Sequence, residues 1–127
     1  MAVGNYYTGM AITTNRITGG GTEPLYGQMA TGTGATSSST SMNTPSAEAR
    51  VAGTSSRVTT TVTNDTYQVV FTITSSSAQT IQQVALWDAA GSGSPATGGN
   101  MFFISEFAGI ALSSGDSLTA TCKVKFS

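Results

Sequence analysis

The clearest alternation of apolar and polar positions lies near the end of the chain. From Ser117 to Phe126, the residues Leu118, Ala120, Cys122, Val124 and Phe126 alternate with Thr119, Thr121, Lys123 and Lys125. Strand side chains point to opposite faces with period two, so this stretch predicts a strand with one buried face. An open sheet edge templates association, so the strand is expected inside a sheet, with both lysines on its wet face. The run TYQVVFTIT has the same period and places Tyr67, Val69, Phe71 and Ile73 on one side. SRVTTTV precedes it, and Asn64-Asp65 between the two, tolerant of positive φ, predicts a tight hairpin. QTIQQVALW and NMFFISEF add two strands across the loop DAAGSGSPATGG, and LSSGD turns the chain into the final strand. Short strands punctuated by Gly, Ser and Asn predict an all-β fold, an antiparallel β-sandwich or jelly-roll-like barrel. PSAEARVA offers one helical turn at most. The expected β core runs from Ser55 to Phe126, with Val69, Phe71, Ile73, Ile81, Leu86, Phe102, Ile104, Leu118, Val124 and Phe126 buried.

Ahead of that core the pattern fades. Residues 1–44 contain TGGGTEPLYGQMATGTGATSSSTSMNT, with isolated apolar residues and no helical period. Polar stretches of this kind bury too little to offset their ordering entropy alone. A single domain over 1–127 is expected, with 1–44 as an irregular, extended or arm-like segment that orders against neighbours. GGGT matches neither the phosphate loop with its lysine nor a dinucleotide fingerprint.

Charge sharpens the picture. Charged residues make up 9% of the chain and the net charge is -1, against roughly 25% charged in ordinary domains. Five scattered Lys/Arg form no basic patch, which argues against nucleic acid as a partner. No apolar run approaches the ~20 residues of a membrane helix, and MAVGNYYTGM has neither the basic start nor the apolar run of a secretion signal. The polar surface is therefore Ser, Thr, Gly and Asn, which is easily desolvated and weakly opposed to association. It suits a Thr-rich β protein, or a subunit that lives packed against others.

Candidate chemistry is sparse. The chain has no histidine, which removes the usual Ser-His and Cys-His systems. Asp65, Asp88 and Asp116 each fall at a turn, where an Asp caps its own backbone, and no Asp-x-Asp spacing supports calcium. Glu23, Glu48 and Glu106 carry no motif. The reading is therefore non-enzymatic, with no catalytic, cofactor-binding or metal residues. Cys122 reads as a small buried hydrophobe. Tyr6, Tyr7, Tyr26 and Trp87 are the aromatics that could stack on sugar, or pack in core or interface.

Several segments, in order, resemble a family of small structural proteins of tailed bacteriophages. They are NRITGGGTEPLYG, GTGAT, SAEARVAGT, TTTVTNDTYQVVFTIT, QTIQQVALWDA, GGNMF and SGDSLTATCKVKF. The chain departs from that pattern at Met29-Ala30, Ala85-Leu86-Trp87 and Cys122, all packing changes. The resemblance implies a virion protein assembled in the host cytoplasm, either a capsid decoration or cement protein or a tail-associated one. Its implied partners are the major capsid protein or other virion proteins, and by analogy it is a homo-oligomer, a trimer. The alternative is a tail or fibre component that binds host surface glycan. The expected interface anchors are Tyr6, Tyr7, Leu25, Tyr26 and Met29, since aromatic and Met side chains are enriched at interfaces.

Overall fold

The computed structural model describes residues 2–4, 12–14, 16–36 and 39–126. Among the described residues eight strands succeed one another: β1 Ala2–Gly4, β2 Tyr26–Ala30, β3 Val51–Ala52, β4 Thr54–Val58, β5 Thr66–Thr74, β6 Gln79–Trp87, β7 Met101–Leu112 and β8 Ser117–Lys125. They form a five-stranded sheet in the order β1-β7-β6-β2-β3 and a three-stranded sheet in the order β4-β5-β8. Every pairing is antiparallel. The fold is an antiparallel β-sandwich, as the alternating runs predict.

The main core lies between the sheets. Val69, Phe71, Ile73 and Cys122 from the small sheet meet Met29, Ile81, Val84, Leu86, Phe103 and Leu112 from the large one. Ile81 shares that face with Val84 and Leu86 because the β6–β7 register shifts between Ile81 and Gln83. There one residue of β6 stands against three of β7, and the period-two phase of β6 changes across this irregularity. On the other face of the large sheet, Ala30, Met42, Ala85, Trp87, Met101 and Ile104 form a second cluster. The large sheet is thus buried on both sides, by the small sheet and by the segments 31–50 and 88–100.

Four expectations are corrected. The core is not confined to Ser55–Phe126: β2 is an inner strand, and the segment 31–44, expected to be part of an arm, helps cover the large sheet. The final strand is an edge strand, paired only with β5 among the described residues. Phe126 is 55% exposed, because β8 ends at Lys125 and the ring passes beyond the partner strand. The Asn64-Asp65 turn is the end of the wider loop 59–65, in which Asn64 has φ 59°. The Asp65 carboxylate widens it by accepting from the backbone N–H groups of Thr60, Thr61 and Val62 at 2.9–3.0 Å. Of the remaining core candidates, Phe102, Leu118 and Val124 are half-buried at its margin, and the others are buried.

Gly27 is the tightest point of the sandwich. A Cβ there would lie 2.3 Å from the Phe71 ring, so the two sheets meet at this spacing only because β2 has no side chain at that position. Phe71→Ala is expected to cost about 3–5 kcal/mol, and Gly27→Ala about 1–3 kcal/mol through overpacking. Together they should cost less than their sum, because the added methyl occupies space the ring has left. Urea unfolding of the two single variants and the double variant measures this coupling, and additive costs would show that the positions do not touch.

Candidate functional site

The expected anchors do not form one surface. Tyr6 and Tyr7 lie outside the described residues. Leu25 is half-buried against the main core, and Tyr26 is half-buried against the outer cluster, opposite Ala52 and Trp87. Met29 is 1% exposed and its side chain is a core member, which corrects its assignment as a contact residue. Its β2 neighbours alternate between the two clusters, so no face of that strand is left for a partner. Cys122 is also core, and burial pushes its thiol up to about 11, away from nucleophilic use.

Trp87 is no open stacking platform. Arg50 lies 3.8 Å from the ring centre, and both residues are buried. Arg50 Nε donates to Gln28 Oε1 at 3.0 Å, and Nη1 donates to the carbonyls of Ala89 and Gly98 at 2.9 and 2.8 Å. The Gln28 amide donates in turn to the Ala96 carbonyl at 3.1 Å. Burial pulls the guanidinium below its ordinary range, while nearby Asp88 acts the other way. These bonds pin the loop 88–100 to the large sheet, so the arginine holds structure in place.

Most carboxylates serve the same purpose. Glu106 accepts from the N–H groups of Gly34 and Ala35 at 2.8 and 3.0 Å and from Gln83 at 3.0 Å, tying the GTGAT stretch to β7. Asp88 accepts from the Asn100 N–H at 2.7 Å, and Asp116 from the Ser113 N–H at 2.9 Å, as turn residues do. Glu48 accepts from Ser76 and Gln79. Burial raises the Glu48 carboxyl, but the hydrogen bonds from Ser76, Gln79 and Ser46 outweigh it and bring it down to about 2. Among the described residues, no three of His, Cys, Asp and Glu gather where they could hold a metal ion.

Among the described residues a small cavity of about 260 Å³ lies beside Arg50 and Trp87, and two larger open regions lie elsewhere. The first lies along β7 beside the edge strand β8. A groove of about 370 Å³ runs there, in which the apolar Val84, Phe103, Phe107, Ile110 and Leu118 are interspersed with Thr119, Thr121 and Lys123 of β8. Ile110 is 40% exposed in it. The second region surrounds Tyr67. Its hydroxyl donates to the Pro24 carbonyl at 3.0 Å, and its ring meets Phe102 edge-on at 6.0 Å. Burial, then the neighbouring Glu23, pushes the phenol well above its usual range. Cavities of about 420 and 500 Å³ flank Tyr67 and Glu23. These residues come from distant segments with no shared spacing, so no sequence motif marks them.

Two outcomes follow from the fastening groups. Arg50→Met leaves the buried Gln28 oxygen and the less buried carbonyls of Ala89 and Gly98 without their donor, at a cost of about 2 kcal/mol. Hydrogen exchange should then quicken in 88–100 before it quickens in β5. For Glu48 the folded pKa lies below the ordinary 4.5, so its contribution is complete above pH 4.5 and is lost as pH falls toward about 2. The melting-temperature gap between wild type and Glu48→Gln should be constant from pH 7 to 4.5 and close by pH 2; a gap that persists at pH 2 would show that the carboxylate is not the source.

Compared with protein-family models, curated proteins and solved structures, the chain matches none.

Proposed function

We propose that this chain is a non-enzymatic structural protein of a tailed-bacteriophage virion, a capsid decoration or cement subunit that braces the shell against the major capsid protein. The observation that carries the reading is the groove beside β8. Among the described residues the outer edge of β8 is unpaired and lies beside this groove of mixed apolar and hydroxyl lining, and an extended segment from a neighbouring subunit can pair with the edge while covering the groove. The ordered segments shared in pattern with small phage structural proteins support it, from NRITGGGTEPLYG to SGDSLTATCKVKF. The surface supports it too. Thr72 and Thr119 share a hydrogen bond across strands, as do Thr74 and Ser117, each at 2.8 Å. Such a neutral hydroxyl face can be dehydrated against a partner at less cost than a charged one.

Mass spectrometry and cryo-EM of purified virions test the proposal. The chain should be a stoichiometric shell component whose β8 flank touches a neighbour. Ile110→Asp should lower incorporation by about tenfold, since an unpaired carboxylate buried in a contact costs more than 1.4 kcal/mol. Its exposed position should leave the melting temperature of the isolated protein nearly unchanged. Wild-type incorporation of that variant, or absence of the chain from the virion, would overturn the reading.

A further inference from the structure

We propose that the two cavities around Tyr67 and Glu23 form one binding site for an acidic oligosaccharide, a short run of pyranose rings bearing carboxylates. The site shares no lining residue with the groove proposed as the shell contact.

The first argument is shape. Both cavities, about 420 and 500 Å³, are of ligand-binding size and share Tyr67 and Glu23 as a common wall. The first is apolar, with Phe102, Phe126 and Ile17; the second is polar, with Ser55, Ser56, Asn64 and Arg57. A pyranose has the same division, an apolar C–H face and a rim of hydroxyls. Phe126, 55% exposed, offers an open ring for stacking, and Ile17, 80% exposed, extends the apolar floor.

The second argument is charge. Arg16 lines the first cavity, Arg57 the second, and Glu23 both. Two cations to one anion make this a positive spot on a chain of net charge -1. Among the described residues the Arg57 guanidinium has no hydrogen-bond partner, and Arg16 Nη1 reaches only the Gly21 carbonyl, at 3.3 Å. A guanidinium presents a fork that matches a carboxylate. Glu23 also stands apart from the other acids. Glu48, Asp65, Asp88, Glu106 and Asp116 each accept from backbone N–H groups that fasten loops, whereas Glu23 lines both cavities and shares a hydrogen bond with the Tyr67 side chain. It is placed to accept from sugar hydroxyls while the arginines take the carboxylates.

The test is an amide NMR titration of the full chain with trigalacturonate, and with maltotriose as the neutral probe. Trigalacturonate should give saturable shifts at Ser56, Asn64, Tyr67 and Phe126, and maltotriose should bind at least about tenfold more weakly. Arg57→Ala and Phe126→Ala, both at exposed positions, should each weaken binding by about tenfold or more, and Val62→Ala, outside both cavities, should leave it unchanged. No saturable shifts with trigalacturonate, equal binding of maltotriose, or binding indifferent to both site variants would each overturn the proposal. So would self-association through this face that Phe126→Ala abolishes while trigalacturonate stays unbound, which would assign the groove to a protein contact. The measurement uses isolated protein, so its failure is distinct from any failure to find the chain in a virion.

Discussion

From Gln83 to Trp87, strand β6 is buried on both faces, and a two-sided strand needs two covers. One is the small sheet, which brings Val69, Phe71 and Ile73. The other has no sheet of its own and is made of loop. Loop backbone carries N–H and C=O groups that cannot be left unpaired out of water. The side chains that meet this demand are the polar ones buried beside the loops. Gln28 and Arg50 satisfy carbonyls at Ala89, Ala96 and Gly98, the Gln83 oxygen accepts from the Asn43 N–H, and Ser46 donates to the Met29 carbonyl. The buried glutamines and the buried arginine are thus a condition of covering an apolar sheet with irregular chain.

The same constraint explains the low charge. Where a charged group occurs, it mostly holds a turn or loop closed, as Asp65, Asp88, Glu106 and Asp116 do. Cross-strand hydroxyl pairs on the small sheet take over surface positions where other proteins carry ions. Attachment of loops by carboxylates leaves acid as the natural route of loosening, while ionic strength acts on few exposed pairs.

Strands β5, β6, β7 and β8 were legible in the sequence because their apolar residues keep a period of two over most of their length. Strand β2 was not. YGQMA breaks alternation twice, with a glycine demanded by the approach of Phe71 and a glutamine buried to bond Arg50 and the Ala96 carbonyl. Arg50 lies within PSAEARVA, read only as one helical turn at most, and nothing in that pattern marks an arginine that will be buried against three acceptors and an aromatic face. Phe126 kept the period of β8 but outran the strand, so periodicity placed it in a core that ends one residue earlier. Strand pattern also says nothing about which strand lies at an edge, and the open regions depend on that.

The position of β2 bears on how the chain assembles as it is synthesised. Tyr26–Ala30 is made early, yet its long pairing is with β6, and β1 waits for β7, which emerges later still. Non-local pairings of this kind close slowly, since loop closure comes before any contact rewards it. Until β6 leaves the ribosome, β2 has only the two residues of β3 to pair with. The Gly, Ser and Thr richness of the first third of the chain then has a second use: a segment that must wait largely unpaired stays hydrated and resists premature collapse.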